Sequence, residues 1–286
     1  MQTGNNSESD RQAAPTFDVS VVIPVGDGDG GIGALLTAVN TLKRRTGGRY
    51  EIVIVDDGNP DAIETTAARW RAEFEGLVVA RHDARKGRGA AARTGALAAR
   101  GELVAVVDPD SEVPVSNAEM LFDSLQNGAD VALASRHLDP QPQADEKPFL
   151  ERATQTTVMR LSELMVPVGV RDCFSGLSGY RSRALKKIAQ RSRVSSAAYT
   201  VEWIALAQYL GFQVVESPLL SVRGPLIGNR GRKSATAFSL LKDVWATRKR
   251  LANDDYSKAL EKSELLSETS FRKLDRQALQ QLRSQR

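Results

Sequence analysis

The stretch "VSVVIPVGDGDGGIGALLTAV", residues 19–39, decides the fold. A β-branched run from Val19 to Val25 stops in a glycine-rich turn, and an amphipathic pattern opens near Ile32. Strand, glycine-rich turn and helix in that order begin a βαβ unit, which needs a parallel sheet to sit in. Gly28, Gly30 and Gly33 also spell G-x-G-x-x-G, the spacing of a dinucleotide site. Such a site places a ribose-binding carboxylate about 20 residues further on, at the end of the second strand. Asp56 comes somewhat late for that, and a dinucleotide site leaves Asp108-Pro109-Asp110 unexplained.

Outward from this stretch the rhythm repeats. Strands are expected at 19–25, 51–55, 77–80, 102–107 and 130–134, and helices at 32–45, 61–74, 89–99 and 116–127. Each strand is a short Val/Ile/Leu-rich run and each helix is amphipathic, which predicts an α/β fold with a Rossmann-like, mostly parallel sheet and helices on both faces. Beyond residue 135 come a Pro- and Gln-rich loop, a helix near 150–165, a Gly/Ser turn, helices near 182–190 and 199–210, and a strand at 213–217. Residues 1–16 are polar with little to bury and are expected to be disordered. The folded domain is expected over 17–228, and 229–286 reads as a basic, amphipathic helical tail whose part beyond 253 looks helical and charged.

With 286 residues, 41% hydrophobic and 26% charged, the composition is that of an ordinary globular protein. The net charge of +4 is unevenly placed, since residues 229–286 hold 14 Lys/Arg against 7 Asp/Glu. The remainder is acidic overall, which argues against nucleic-acid binding. A single cysteine, Cys173, rules out an internal disulfide framework. No apolar run reaches the ~18 residues of a membrane span, so a cytoplasmic protein not integral to a membrane is expected. His82 and His137 lack metal-ligand spacing and carry no functional expectation.

Ligands of a doubly wound sheet sit beyond the carboxyl ends of its strands. There the second strand ends in Asp56-Asp57-Gly58 and the fourth, "ELVAVVDPDSEVP", in Asp108 and Asp110 with Glu112 close behind. Asp and Gly also make plain turns, but several hard oxygen ligands in one small volume call for a cation. Mg²⁺ or Mn²⁺ on Asp108, Asp110 and Glu112, shared with substrate phosphates, is the expected solution.

Several spaced motifs, in one order from about Val19 to Ser234, resemble the inverting family-2 glycosyltransferases of GT-A fold, and among them the polyprenyl-phosphate sugar transferases such as dolichol-phosphate mannose and glucose synthases. "VSVVIPV" resembles the family's first strand, implying that Pro24 and Val25 border the nucleotide, and "EIVIVDDGNPD" its nucleotide-binding segment, implying that Asp56 or Asp57 contacts base or ribose. "KGRGAAARTGALAARGELVAVVDPD" is similar to the signature that ends in the metal and diphosphate carboxylates, so Asp108 borders the nucleotide as well. "DVALASRH" places Arg136 where the family binds phosphate, and in "LERATQTT" Arg152 and Thr156 match positions facing the acceptor phosphate. "RDCFSGLSGYRSRAL" matches at Asp172, Ser175, Gly176 and Tyr180, and Glu202 falls at the family's acidic position, where an ion pair with an Arg is the plainer expectation. The chain departs from the family at Val25-Gly26-Asp27-Gly28, where an aromatic residue, Asn and Glu are usual, and at Ser178, where Arg or Lys is common.

The resemblance implies a nucleotide sugar, UDP- or GDP-linked, whose diphosphate leaves against a metal and a basic residue such as Arg88. A polyprenyl phosphate acceptor is already anionic and needs only Arg136 and Arg152 to position it, with backbone N–H groups around Ser175. A hydroxyl acceptor would need a base, for which Asp172 is the candidate. The basic stretch 230–251 carries Phe238, Leu241, Val244, Trp245 and Leu251 at helical spacings and suits peripheral contact with the inner face of a membrane, or equally a helix packed on the core. Two other functions stay open: a soluble transferase to a saccharide or small-molecule hydroxyl, and a non-catalytic sugar-nucleotide binding protein.

Overall fold

The alternating apolar runs assemble into one mixed sheet sandwiched between helices. The structure, a computed structural model, describes residues 17–26, 31–58, 60–111, 113–138, 160, 162, 166, 169–219, 237–259 and 269–273. In chain order the first half is β1 (Phe17–Val25), α1 (Ile32–Thr46), β2 (Tyr50–Asp56), α2 (Pro60–Trp70), β3 (Gly76–His82), α3 (Arg88–Ala98), β4 (Gly101–Val107), α4 (Ala118–Gln126) and β5 (Val131–Ser135). The second half adds β6 (Leu177–Arg181), α5 (Ser182–Ala189), α6 (Tyr199–Tyr209), β7 (Val214–Pro218), α7 (Ala237–Ala252) and β8 (Thr269–Lys273).

The strand order is β7-β5-β6-β4-β1-β2-β3-β8. β1 to β4 pair in parallel, as do β5 and β7, whereas β6 runs antiparallel to both its neighbours and β8 runs antiparallel to β3. Successive strand side chains point to opposite faces, so Val21, Ile23, Ile52 and Ile54 join one apolar layer while Val22, Val53, Val55 and Val104 join the other. Burial on both faces is why the strands read as unbroken apolar runs rather than alternating ones. α3 is rich in Ala and Gly because it lies hard on the sheet: a Cβ at Gly95 would stand 2.3 Å from Val22 Cγ1.

Three sequence expectations meet a different outcome. The Gly/Ser turn continues into a strand, β6, whose five residues and central Gly gave too weak a period to find. That glycine is needed, since a Cβ at Gly179 would come within 2.9 Å of Leu121 Cβ on α4. α2 stops at Trp70, and the next residues turn so that the Phe74 ring enters the core 6.2 Å from Trp70. In the stretch beyond 253 expected to be helical, Thr269–Lys273 is a strand paired from His82↔Thr269 to Val78↔Lys273. The unpaired backbone groups along the β3 edge outweigh the local helical pattern there. The helix expected near 150–165 falls almost wholly outside the described residues.

α7 is half core helix, half surface helix. Val244 and Thr247 are buried and Leu240 and Leu251 pack on the second apolar layer, while Phe238 is 80% and Trp245 55% exposed. No helix among the described residues is long and apolar enough to cross a membrane.

Candidate active site

Parallel pairing brings the carboxyl ends of β1 to β4 to one rim, with Val25 beside Asp56 and Asp56 beside Arg81. At the end of β4 stand Asp108 and Asp110, and both carboxylates are held by a single guanidinium. Arg88, the first residue of α3, gives one N–H to Asp108 and another to Asp110 Oδ2 at 2.8 Å. The Asp110 N–H turns back to Asp108 Oδ1 at 3.0 Å, which draws the two acids together. Burial raises the Asp108 carboxyl above its ordinary value against the pull of Arg88. Burial works to lower Arg88, but the two carboxylates outweigh it and hold the guanidinium above its ordinary value. Among the described residues no three His, Cys, Asp or Glu side chains cluster as a metal site, and Glu112, the third expected ligand, lies outside them. Asp108 and Asp110 nevertheless fit a Mg²⁺ or Mn²⁺ ion, which is held by one or two carboxylates and completes its shell with phosphate and water oxygens.

Along the rim, Asp57 is spent on the fold rather than left open to a base or ribose. Its carboxylate accepts the Lys86 and Gly87 N–H groups, each at 2.7 Å, and lies 2.8 Å from His82 Nδ1. His82 Nε2 in turn meets Thr94 Oγ1 on α3 at 2.9 Å. Burial would raise Asp57, but the imidazole and the two amides hold it below the ordinary 3.8. His82, set aside in the sequence, is therefore a positioning residue: through Asp57 it fixes the turn that launches Arg88. Its place at the very end of a buried strand was the available signal. Asp56 is also buried, with Arg81 Nε on its Oδ2 at 3.0 Å. Pro24 and Val25 are buried backbone supports, and the Val25 carbonyl accepts the Asp57 N–H at 2.8 Å.

On the other side of β4, Asp172 and Arg136 bind each other. Arg136 donates from Nε at 2.7 Å, from Nη2 at 2.9 Å and from its backbone N–H at 3.1 Å. Burial pushes Asp172 up, but this clamp holds it below 3.8, which makes it a poor proton acceptor at neutral pH. Ser175 is buried; its Oγ donates to Leu177 O at 3.2 Å and its carbonyl accepts the Ser111 hydroxyl at 2.7 Å. Gly176 has φ +77°, and its carbonyl takes the Asp108 N–H at 2.8 Å. A Cβ there would lie 2.8 Å from Ser111 Cβ and 3.3 Å from Asp108 Cβ, so only glycine lets this turn lie against the carboxylates. Arg152 and Thr156 lie outside the described residues. The sequence missed Tyr199, a buried phenol at the start of α6 whose pKa is raised by burial and then by the Asp108 charge.

Glu202 is held by hydroxyl and backbone N–H groups. It accepts from Ser192 Oγ at 2.6 Å, Arg193 N at 2.8 Å, Val194 N at 3.0 Å and Tyr256 Oη at 2.7 Å. It thereby holds the 192–196 segment, whose Ser195 carbonyl accepts the Gly89 N–H at 2.8 Å beside Arg88. Where the sequence suggested an Arg opposite Glu202, the structure places hydroxyl and backbone N–H donors.

Set beside known proteins, the chain matches the model for glycosyl transferase family 2 over residues 20–189, the greater part of its length. It is 28% identical over 228 residues to an uncharacterized protein of Methanocaldococcus jannaschii, covering 78% of this chain and 89% of that one. It is 24% identical to the dolichol-phosphate mannosyltransferase of Pyrococcus furiosus, covering 79% of this chain but 62% of the relative. Against the polyprenol monophosphomannose synthase of Mycolicibacterium smegmatis the identity is 29%, over 60% of this chain and 66% of the other. In fold it superposes on glucosyl-3-phosphoglycerate synthase from Mycobacterium tuberculosis, solved with Mn²⁺ and UDP-glucose, with a TM-score of 0.60 at 17% identity over 83% and 80% of the two chains. The run of motifs from β1 to α5 and the mixed sheet thus agree with the matches, and the chain belongs to glycosyl transferase family 2, built on the GT-A fold.

Proposed function

We propose that the protein is an inverting glycosyltransferase that moves a sugar from a UDP- or GDP-linked donor to a polyprenyl phosphate. The observation that carries the acceptor is the Arg136–Asp172 clamp: the carboxylate expected to act as a base is engaged by Arg136 and held below its ordinary pKa, which makes it a weak base. An acceptor that arrives as an anion needs no base, only positioning. Low-identity likeness to polyprenyl-phosphate transferases supports the same choice.

In the proposed reaction the acceptor phosphate oxygen attacks the anomeric carbon as its bond to the nucleoside diphosphate breaks, in one displacement that inverts the centre. Asp108 and Asp110, with Glu112, would hold Mg²⁺ or Mn²⁺, which when bound neutralises charge on the departing diphosphate. Arg88 stands beside these carboxylates and supplies a second positive charge to the same leaving group. Arg136, fixed in orientation by Asp172, and Arg152 would orient the acceptor phosphate, with backbone amides near Ser175 as further donors. Pro24, Val25, Asp56 and Asp57 would border the nucleotide, the two acids chiefly by fixing the shape of the rim. Incubation of the full chain with UDP- and GDP-hexoses, Mn²⁺ and a short polyprenyl phosphate is expected to yield the lipid-linked sugar. Transfer only to saccharides would favour a hydroxyl acceptor, and tight nucleotide binding without turnover would favour a binding protein.

The outer face of α7 supports peripheral membrane contact by a cytoplasmic enzyme. Phe238 and Trp245 stand exposed with Lys242, and Lys249 Nζ lies 5.8 Å from the Trp245 ring centre. Basic residues near an anionic surface gain about 1 kcal/mol each, and the aromatic rings add apolar burial. The protein is expected to sediment with anionic vesicles at low salt and to be partly released at high salt. A Phe238→Ser/Trp245→Ser double variant, which leaves the buried Val244 face intact, is expected to stay in solution; equal binding by the variant would remove α7 from the contact.

A further inference from the structure

The clamp on Asp108 and Asp110 takes one oxygen of each acid that a divalent cation would use. Arg88 Nη1 lies on Asp108 and Nη2 on Asp110 Oδ2 at 2.8 Å, so one guanidinium spans both acids. A like charge within ~4–6 Å disfavours a second cation, and Arg88 and a metal ion therefore exclude each other from this pair of carboxylates. The backbone beneath Arg88 is fixed on both sides. Gly87 N–H is bound to Asp57 at 2.7 Å and Gly89 N–H to Ser195 O at 2.8 Å. Cβ atoms at Gly87 and Gly89 would come within 2.3 and 2.5 Å of the Ser195 and Val194 carbonyls. Only the Arg88 side chain, 34% exposed, has room to move.

We infer that Arg88 is an exchangeable counter-ion: it neutralises Asp108 and Asp110 in the free protein and moves to the diphosphate when a divalent cation takes its place. Metal binding is then contingent on nucleotide, because the ion alone must displace Arg88 with nothing to receive the guanidinium, whereas a diphosphate offers it new oxygens. The two ligands bind cooperatively by thermodynamic linkage, each raising the affinity for the other by the same factor. This inference rests on the metal assignment made above and adds the residue that would gate it.

The test is the affinity for Mn²⁺, read from the spin-resonance signal of the free ion, with the full chain alone and with saturating UDP or GDP. The wild type is expected to bind Mn²⁺ weakly alone and much more tightly with diphosphate. Arg88→Met is expected to move the two values in opposite directions, about tenfold tighter for Mn²⁺ alone and about tenfold weaker with diphosphate, which erases most of the cooperativity. Arg88→Gln serves as the second variant should the first fail to give a native melting transition. Equal or weaker binding of Mn²⁺ alone by these variants, with binding still abolished by Asp110→Asn, overturns the counter-ion role and leaves the metal site standing. Mn²⁺ binding that is indifferent to Asp110→Asn in every state overturns the metal site and the counter-ion role together.

Discussion

Asp110→Asn is expected to lower Mn²⁺-dependent affinity for UDP or GDP by about a hundredfold or more, since even residues that only support metal ligands commonly cost 10–100-fold. The substitution removes one of two negative charges at the end of β4 and keeps the shape of the side chain. Asp110 is 24% exposed at the rim, where it meets Arg88 and the local turn, so little packing is lost. The melting temperature should change by no more than a few degrees, as for a surface change worth within about 0.5 kcal/mol. Calorimetric titration with and without Mn²⁺ checks this. Unchanged affinity in a folded variant would remove Asp110 from the metal assignment.

Glu202→Ala is expected to have the largest effect on stability, although the donors it holds belong to residues 192–194 and Tyr256 rather than to the rim. The side chain is fully buried and satisfies four donor groups, on Ser192, Arg193, Val194 and Tyr256. Each donor left buried without a partner costs about 1–3 kcal/mol; relaxation and entering water reduce the sum, and a net loss of about 3–5 kcal/mol is expected. At roughly 2–4 °C per kcal/mol for a chain of this size, the melting temperature should fall by about 10 °C. Glu202→Gln should recover only part, because its amide would turn donors toward donors. The 192–196 segment carries the carbonyl that holds Gly89, so nucleotide affinity should fall in step with stability. Scanning calorimetry of the variants decides this, and an unchanged transition would show that the network around Glu202 is not needed.

How much of this was readable beforehand differs between particular elements. β1, β2 and β4 are buried on both faces and betray themselves as Val/Ile runs, and the Asp108-Pro109-Asp110 stop marks the rim because turn residues and ligands share one place in such a sheet. β6 and β8 left no such trace. β6 is a five-residue strand whose central Gly answers to α4, and β8 exists because the β3 edge accepts it. The family's motif run named Arg88, Arg136 and Asp172 as site residues, but not that Arg136 and Asp172 would bind each other.

The sequence by itself determined the alternating fold, the acidic rim and the family, since periodicity and turn chemistry act between residues close along the chain. The tertiary structure decided the partners. Arg88 finds Asp108 across 20 residues, Arg136 finds Asp172 across 36, and Glu202 finds Tyr256 across 54. Such pairs depend on which strand ends and loops the fold brings within hydrogen-bond reach, and no local spacing encodes that. The same limit explains His82 and Asp57: one looked idle and the other looked like a ligand contact. Only the closing of β2, β3 and α3 around them shows that both hold the turn from which Arg88 reaches the carboxylates.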